Sequence, residues 1–222
     1  MYKKLGILGG MGPLATCRLY SGIVEGTPAK RDQDHIDMVI LNACYVPDRT
    51  EAILHGGNSP LPYLLGALKT LEAAGCDVVA IPCNTSHYFY DELQKGCGMD
   101  ILNMIDLTAE KLENNGISKA FLMATEGTVK TGIYQKYFSK RNIEIIPPSD
   151  AETAEMMKVI YEVKAGKSPD LEKLLGIARR RGELFVIGCT ELSVLNFGDM
   201  ASIDAMEVLK EKILELFGVQ KK

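Results

Sequence analysis

The feature that most constrains the fold is a pattern of strands and helices that occurs twice along the chain. Each half begins with an apolar strand that leads into a glycine-containing loop, at residues 5–12 and again at residues 120–128. Each half also contains a later apolar strand that ends at a cysteine, and these two cysteines are Cys83 and Cys189. An internal repeat of this kind predicts two similar structural units.

Amphipathic helical stretches lie between the apolar runs throughout the chain, and this alternation is typical of parallel sheets covered by helices on both faces. We therefore expect an α/β protein of two similar Rossmann-like (flavodoxin-like) half-domains, related by internal pseudo-symmetry. The first domain is expected to contain residues 1–103 together with 205–222, and the second residues 104–204. Because ligands bind beyond the carboxyl ends of parallel strands, the active site is expected in the cleft between the domains.

The individual elements follow from the apolar periodicity. Strands are predicted at residues 5–8, 36–41, 78–82, 120–124, 143–146 and 184–188. Helices are predicted at residues 14–24, 61–74, 107–114, 151–164, 171–180 and 205–217, with a further helix that ends near residue 138. Loops are predicted around Arg49 and at residues 125–128.

Composition excludes several classes of partner. The net charge of -4 gives no indication of the basic surface that binds nucleic acid. The three consecutive arginines at residues 179–181 are interpreted as the end of a helix, where positive charges are favourable. No run approaches the roughly 20 apolar residues of a membrane helix, so no membrane partner is expected. The N-terminal residues lack the pattern of a signal peptide, which favours a cytoplasmic location.

The six cysteines show no CxxC pair, and in a chain of this type they are expected to be free thiols. Four of them are interpreted as small apolar packing residues, namely Cys17, Cys44, Cys76 and Cys97. Cys83 and Cys189 differ because each stands in a polar loop at the end of a strand, in equivalent places of the repeat.

Two thiols delivered from equivalent strand ends suggest proton transfer. A racemase removes a proton from one face of a tetrahedral carbon and returns one to the other face. A thiol with a pKa near 8.5 can act as the acid or the base in such a reaction. The neighbouring Asn84, Thr85 and Thr190 offer donors for a carboxylate and for the charge that develops on it.

Four motifs in this order resemble the aspartate/glutamate racemase family, on its aspartate racemase branch. They are residues 9–13 (GGMGP), 47–50 (PDRT), 82–87 (PCNTSH) and 188–192 (GCTEL). The resemblance covers nearly the whole chain. It implies a cofactor-independent amino-acid racemase, without pyridoxal phosphate or metal, in which Cys83 and Cys189 are the catalytic acid/base pair. It also implies a homodimer.

The same resemblance implies a set of substrate-binding residues. Arg49 and Lys164 correspond to cations that hold the distal carboxylate, which makes a dicarboxylic amino acid, aspartate before glutamate, the expected small-molecule partner. The remaining substrate-binding positions are Met11, Asn84, Thr85, Thr128 and Thr190. A planar guanidinium at Arg49 suits this task because it binds a carboxylate through two parallel hydrogen bonds. At residues 10–12 the chain lacks the acidic residue of the glutamate racemases, which favours the aspartate branch.

Several alternatives stay open at this point. The fold is compatible with a glutamate or broad-specificity racemase and with the related hydantoin racemase, maleate isomerase and arylmalonate decarboxylase reactions. Residues 10–15 fit a dinucleotide-binding fingerprint, but the second strand lacks the acidic residue that would bind a ribose. A cysteine hydrolase would need a histidine base, for which His87 is the candidate next to Cys83. Glu191 is a possible hydrogen-bond acceptor beside Cys189.

Overall fold

Eight strands form two separate four-stranded sheets in the computed structural model, which describes residues 2–219. The first sheet has the order β2-β1-β3-β4 and the second the order β6-β5-β7-β8, and every pair is parallel. The strands are β1 (Leu5–Gly9), β2 (Met38–Asn42), β3 (Val78–Ala80), β4 (Asp100–Leu102), β5 (Lys119–Ala124), β6 (Glu144–Ile146), β7 (Phe185–Gly188) and β8 (Ser202–Asp204). The identical order of the two sheets confirms the predicted fold of two similar α/β units.

Helices connect the strands and cover both sheets. They are α1 (Pro13–Gly26), α2 (Arg49–Leu54), α3 (Leu61–Ala73), α4 (Tyr90–Lys95), α5 (Met104–Asn114), α6 (Glu126–Lys130), α7 (Ile133–Phe138), α8 (Asp150–Lys164), α9 (Glu172–Arg181) and α10 (Ala205–Leu216). None of the helices within residues 2–219 combines the length and the apolar character that a membrane span requires.

The core consists of three clusters of buried side chains. The largest joins the two sheets, because residues of β1 such as Leu5 and Ile7 share it with Ala120 and Leu122 of β5 and with α1, α5 and α10. The other two clusters fill the opposite faces, one between the first sheet and α3 and the other between the second sheet and α8 and α9. Strands β1, β3 and β7 are buried along their whole length because both of their faces are covered, which explains why they read as unbroken apolar runs.

The sequence prediction was wrong about several short elements. It missed the six-residue helix α4. It also missed β4 and β8, which contain three residues each and carry polar residues at their ends, so no apolar run marks them. It placed loops where the structure has α2 and α6. Both helices have fewer than two turns, and each begins at a capping side chain, Asp48 and Thr125 respectively.

Two cysteines were also misplaced. All six are free thiols, as expected, but Cys17 and Cys44 are exposed and do not pack in the core. Cys17 lies on the solvent side of α1, and Cys44 follows the edge strand β2. Cys76 is buried and Cys97 is partly buried, in agreement with a packing role.

Candidate active site

The carboxyl ends of the central strands of the two sheets face one small cleft, with an empty volume of about 280 Å³. Cys83 and Cys189 both line it, so the structure brings together the two thiols that the repeat singled out. The complete lining is Met11, Asp48, Arg49, Thr50, Cys83, Asn84, Thr85, Thr125, Lys164, Cys189, Thr190 and Glu191.

The backbone of Cys83 is hydrogen-bonded to a buried histidine, His87. The His87 ring nitrogen Nδ1 lies 2.9 Å from the Cys83 carbonyl oxygen, so Nδ1 must carry the proton and donate it. Nε2 then has a free lone pair and accepts from the Met104 backbone N–H at 3.2 Å. Burial lowers the pKa of His87, which favours this neutral tautomer. Since both ring nitrogens bind backbone groups, His87 is not available as a base for the Cys83 thiol.

Cys189 is a buried thiol with an acidic neighbour. Its Sγ donates to Oε2 of Glu191 at 3.1 Å, and both side chains are almost fully buried. Burial, followed by the charge of Glu191, raises the pKa of Cys189 well above its usual value, against the opposing effect of the Lys164 charge. Cys189 is therefore protonated in this structure.

Gly12 allows Glu191 to reach the cleft. A Cβ atom at Gly12 would lie 2.9 Å from Oε1 of Glu191, closer than a side chain tolerates. The glycine-rich loop after β1 thus leaves space for the acidic residue that follows Cys189. This close approach gives a physical reason for glycine at that position.

Arg49 is the first residue of α2, and its side chain is buried. The helix is capped by Asp48, whose carboxylate accepts from the backbone N–H groups of Thr50 at 2.8 Å and Glu51 at 3.1 Å. The Arg49 Nη1 donates to the carbonyl oxygen of Pro47 at 2.9 Å, which fixes the guanidinium in the wall of the cleft. Its Nε is buried and has no partner within the described residues.

Lys164 enters the cleft from the end of α8, with its Nζ 3.6 Å from the Asp48 carboxylate. Burial by itself lowers the pKa of Lys164, but the charges of Glu191, of Cys189 when it is a thiolate, and of Asp48 outweigh it and raise the pKa. Burial also raises the pKa of Asp48, and Lys164 and the backbone N–H donors of α2 outweigh that effect and lower it. Both groups are therefore charged, and Lys164 supplies a second fixed cation.

Threonine hydroxyls join the two halves of the molecule at the cleft. The Oγ1 atoms of Thr85, Thr125 and Thr128 form a triangle with sides of 2.9, 3.1 and 2.9 Å. Thr85 and Thr125 line the cleft, whereas Thr128 is fully buried behind them. On the other side, the Thr190 hydroxyl donates to the carbonyl oxygen of Pro82 at 3.1 Å, which ties the two cysteine-bearing loops together.

Three buried polar atoms of the cleft have no partner within the described part of the chain. They are Nδ2 of Asn84, Nε of Arg49 and Oε1 of Glu191. A buried polar group without a hydrogen bond costs about 1–3 kcal/mol. These two donors and one acceptor belong to residues that line one small cavity, and a ligand with both carboxylate oxygens and an ammonium group would satisfy them.

Most of the residues predicted for substrate binding lie around this cleft: Met11, Arg49, Asn84, Thr85, Lys164 and Thr190. Thr128 does not reach it and contacts it only through the other two threonines. The expected acceptor beside Cys189 is also there, because Glu191 lines the cleft and accepts from that thiol. Sequence reasoning left out three lining residues, Asp48, Thr50 and Thr125. Two of these belong to the quoted PDRT motif, and Thr125 directly follows β5, so a systematic search of strand ends and motif neighbours would have found them.

Comparisons with known proteins give a consistent result. The family model described as Asp/Glu/Hydantoin racemase matches residues 8–209. The aspartate racemase of Picrophilus torridus superimposes with a TM-score of 0.89 at 32% sequence identity, over 99% of this chain and 96% of that one. An aspartate racemase homologue from Pyrococcus horikoshii superimposes with a TM-score of 0.75 at 25% identity, over 96% and 98%.

A sequence relative is the broad specificity amino-acid racemase RacX of Bacillus subtilis, which is 30% identical over 146 residues. That alignment covers 64% of this chain and 63% of RacX, a little under two thirds of the relative's length.

Proposed function

The chain belongs to the Asp/Glu/hydantoin racemase family, and on this basis we propose that it interconverts the enantiomers of an acidic amino acid, most readily L- and D-aspartate. In this proposal Cys83 and Cys189 are the two acid/base groups, and no cofactor takes part. The observation that carries it is that two thiols from equivalent strand ends line one cleft together with two cations, Arg49 and Lys164.

The paired thiols match the need for one proton acceptor and one proton donor. In each turnover a thiolate takes the Cα proton, and the electron pair of the C–H bond passes into the α-carboxylate as an enolate. The opposite S–H then gives its proton to the other face of Cα, which leaves thiol and thiolate exchanged. The raised pKa of Cys189 favours its protonated form, which suits it to act as the donor. For the opposite enantiomer, the Cys189 thiolate left by this exchange is the base and the Cys83 thiol is the donor, and Glu191 accepts the S–H hydrogen bond at 3.1 Å whenever Cys189 is protonated.

The unpartnered atoms of the cleft match the groups of an amino acid. Nδ2 of Asn84 is a donor for a carboxylate oxygen, and Oε1 of Glu191 is an acceptor for the α-ammonium group. A donor aimed at the α-carboxylate stabilises the charge that develops there as the Cα proton leaves. The same contacts would therefore bind the substrate and lower the activation free energy for removal of the Cα proton.

The cations favour a second carboxylate on the substrate. Arg49 is fixed by its Nη1 hydrogen bonds and keeps Nε unpaired, and Lys164 stands beside Asp48 with its charge intact. A small cavity with two cations suits a short dicarboxylic side chain. A neutral amino acid would leave the Arg49 Nε unpaired, as it is without substrate, and would gain none of the binding free energy that a second carboxylate supplies.

Proton exchange at Cα tests the proposal directly. The purified protein is incubated in D₂O with L-aspartate, without pyridoxal phosphate, and the loss of the Cα proton is followed by NMR while circular dichroism follows racemisation. We expect exchange and loss of optical rotation to proceed together. L-Glutamate and L-alanine are run in parallel, and alanine is expected to react far more slowly.

Different outcomes of these experiments test the substrate specificity and the two-thiol mechanism separately. Equal rates with aspartate, glutamate and alanine would contradict the dicarboxylate specificity and support a broad-specificity racemase. Full activity in Cys83→Ala or Cys189→Ala would contradict the two-thiol mechanism. Cys76→Ala is the matched control, because Cys76 is also a buried thiol but lies outside the cleft.

A further inference from the structure

Tyr134 lies behind the cleft and contacts both the loop of Cys83 and the strand that leads to Cys189. It is the second residue of α7 and is completely buried. Its hydroxyl donates to Oδ1 of Asn84 at 2.7 Å, although the two residues belong to different halves of the chain. Asn84 directly follows Cys83, so this hydrogen bond connects the second half to the loop of the first thiol.

The ring of Tyr134 also packs against the strand that leads to Cys189. A Cβ atom at Gly188 would lie 3.0 Å from the Tyr134 hydroxyl oxygen and 3.1 Å from its Cζ. Glycine at this position therefore leaves the space that the phenol occupies. Tyr134 is packed between Asn84 on one side and the residue before Cys189 on the other.

The hydroxyl determines which way the Asn84 amide faces. A phenol has a single O–H donor, and its partner among the described residues is Oδ1 of Asn84. If the amide were turned over, Nδ2 would point at the phenol, and the buried O–H would lose its acceptor. The observed orientation satisfies the O–H and leaves Nδ2 unpartnered in the cleft, with Asn84 only 3% exposed.

We infer that Tyr134 is a positioning residue that holds the Asn84 amide with its N–H groups directed at the substrate carboxylate. The inference rests on the proposed function, since it assigns a task to Asn84 in that reaction. Burial, followed by the charge of Asp204 and by that of Cys189 when it is a thiolate, raises the pKa of Tyr134 well above its usual value. The phenol therefore remains a hydrogen-bond donor at every pH at which the enzyme would work.

A double-mutant cycle in kcat/KM tests this role. Tyr134→Phe removes the hydroxyl and keeps the ring, and we expect kcat/KM for aspartate to fall about tenfold, the effect of one lost hydrogen bond of this kind. Asn84→Ala removes the amide, and in that background Tyr134→Phe should change kcat/KM less than twofold, because Tyr134 acts through Asn84. The matched control is Tyr137→Phe on the same helix, whose ring contacts Lys136 and Lys140 away from the cleft.

A second variant tests the direction of the amide. Asn84→Asp keeps an acceptor for Tyr134 but places a carboxylate oxygen where Nδ2 stood, so it should repel the substrate and cost more activity than Asn84→Ala. An Asn84→Asp variant as active as the wild type would overturn the inference. So would the same loss from Tyr134→Phe in both backgrounds, because that result shows a purely structural effect.

The wild-type rate separates this inference from the proposed function. Absence of turnover with every amino acid tested would contradict the proposed function itself. Turnover by the wild type together with an additive cycle would contradict only the role of Tyr134. The unfolding midpoints of all variants are measured alongside, so that a change in stability is distinguished from a change in the site.

Discussion

Asp204 carries a charge that the folded protein disfavours, and replacing it should stabilise the protein. It lies at the end of β8 beside Ile187 of β7, and burial raises its pKa from 3.8 to about 6, even though it accepts hydrogen bonds from the Ser193 hydroxyl at 2.7 Å and the Met206 N–H at 2.8 Å. Asp204→Asn keeps an oxygen that can accept both bonds and removes the charge.

The expected magnitude follows from the pKa difference. The pKa of this carboxyl is 3.8 in the unfolded chain and about 6 in the folded chain. Between these values the folded state holds more protons, so the contribution of Asp204 to stability falls as the pH rises through this window. The difference of about two pKa units corresponds to a penalty of about 3 kcal/mol at pH 7.5, which falls to about 1 kcal/mol at pH 4.5 and disappears only well below the unfolded pKa of 3.8.

Urea unfolding followed by circular dichroism at pH 4.5 and pH 7.5 measures the effect. Relative to the wild type, the free energy of unfolding of Asp204→Asn should rise by about 2 kcal/mol between pH 4.5 and pH 7.5. Comparison with the variant is needed because burial lowers the pKa of His87, which changes wild-type stability in the opposite direction over an overlapping pH range. Asp150→Asn is the control, since Asp150 is exposed and its pKa is lowered by Lys130. Identical pH dependence in Asp204→Asn and the wild type would refute the reasoning.

Four further predictions concern the cleft. Cys83→Ala and Cys189→Ala should each lower the rate of racemisation at least about 10²-fold with little change in the urea midpoint, and near-normal rates in either variant would exclude the two-thiol scheme. Activity should survive exhaustive chelation, and the protein should show no pyridoxal absorbance; a stoichiometric metal whose removal stops turnover would contradict this. Arg49→Lys and Lys164→Ala should cut kcat/KM for aspartate by tens- to thousands-fold, the effect of about 2–5 kcal/mol, and should affect alanine little, whereas equal losses on both substrates would indicate a structural role. His87→Ala should destabilise the fold by about 1–3 kcal/mol because it leaves the Met104 N–H unpaired, as measured by urea unfolding, and an unchanged midpoint would show that the bond contributes nothing.

The sequence by itself determined the architecture and the two thiols. Strands such as β1, β3 and β7 are covered on both faces, so their residues must all be apolar, and a continuous apolar run is visible without a structure. The repeat of such a run followed by a polar loop with cysteine placed Cys83 and Cys189 at equivalent strand ends. The elements that escaped prediction, β4, β8, α2, α4 and α6, contain three to six residues, too few for a periodic pattern to show.

Only the tertiary structure decided what the polar residues of the loops do. Glu191 and Asp48 are charged residues that sequence patterns place on the surface as readily as in a site, and their burial depends on segments far away in the chain, such as Gly12 and Lys164. Thr128 and Thr125 differ by three positions, yet only Thr125 reaches the cleft, because α6 turns the other hydroxyl behind it. The contact between Tyr134 and Asn84 spans 50 residues. Hydrogen bonds of this kind depend on positions set by the packing of two sheets, and no local pattern in the chain encodes them.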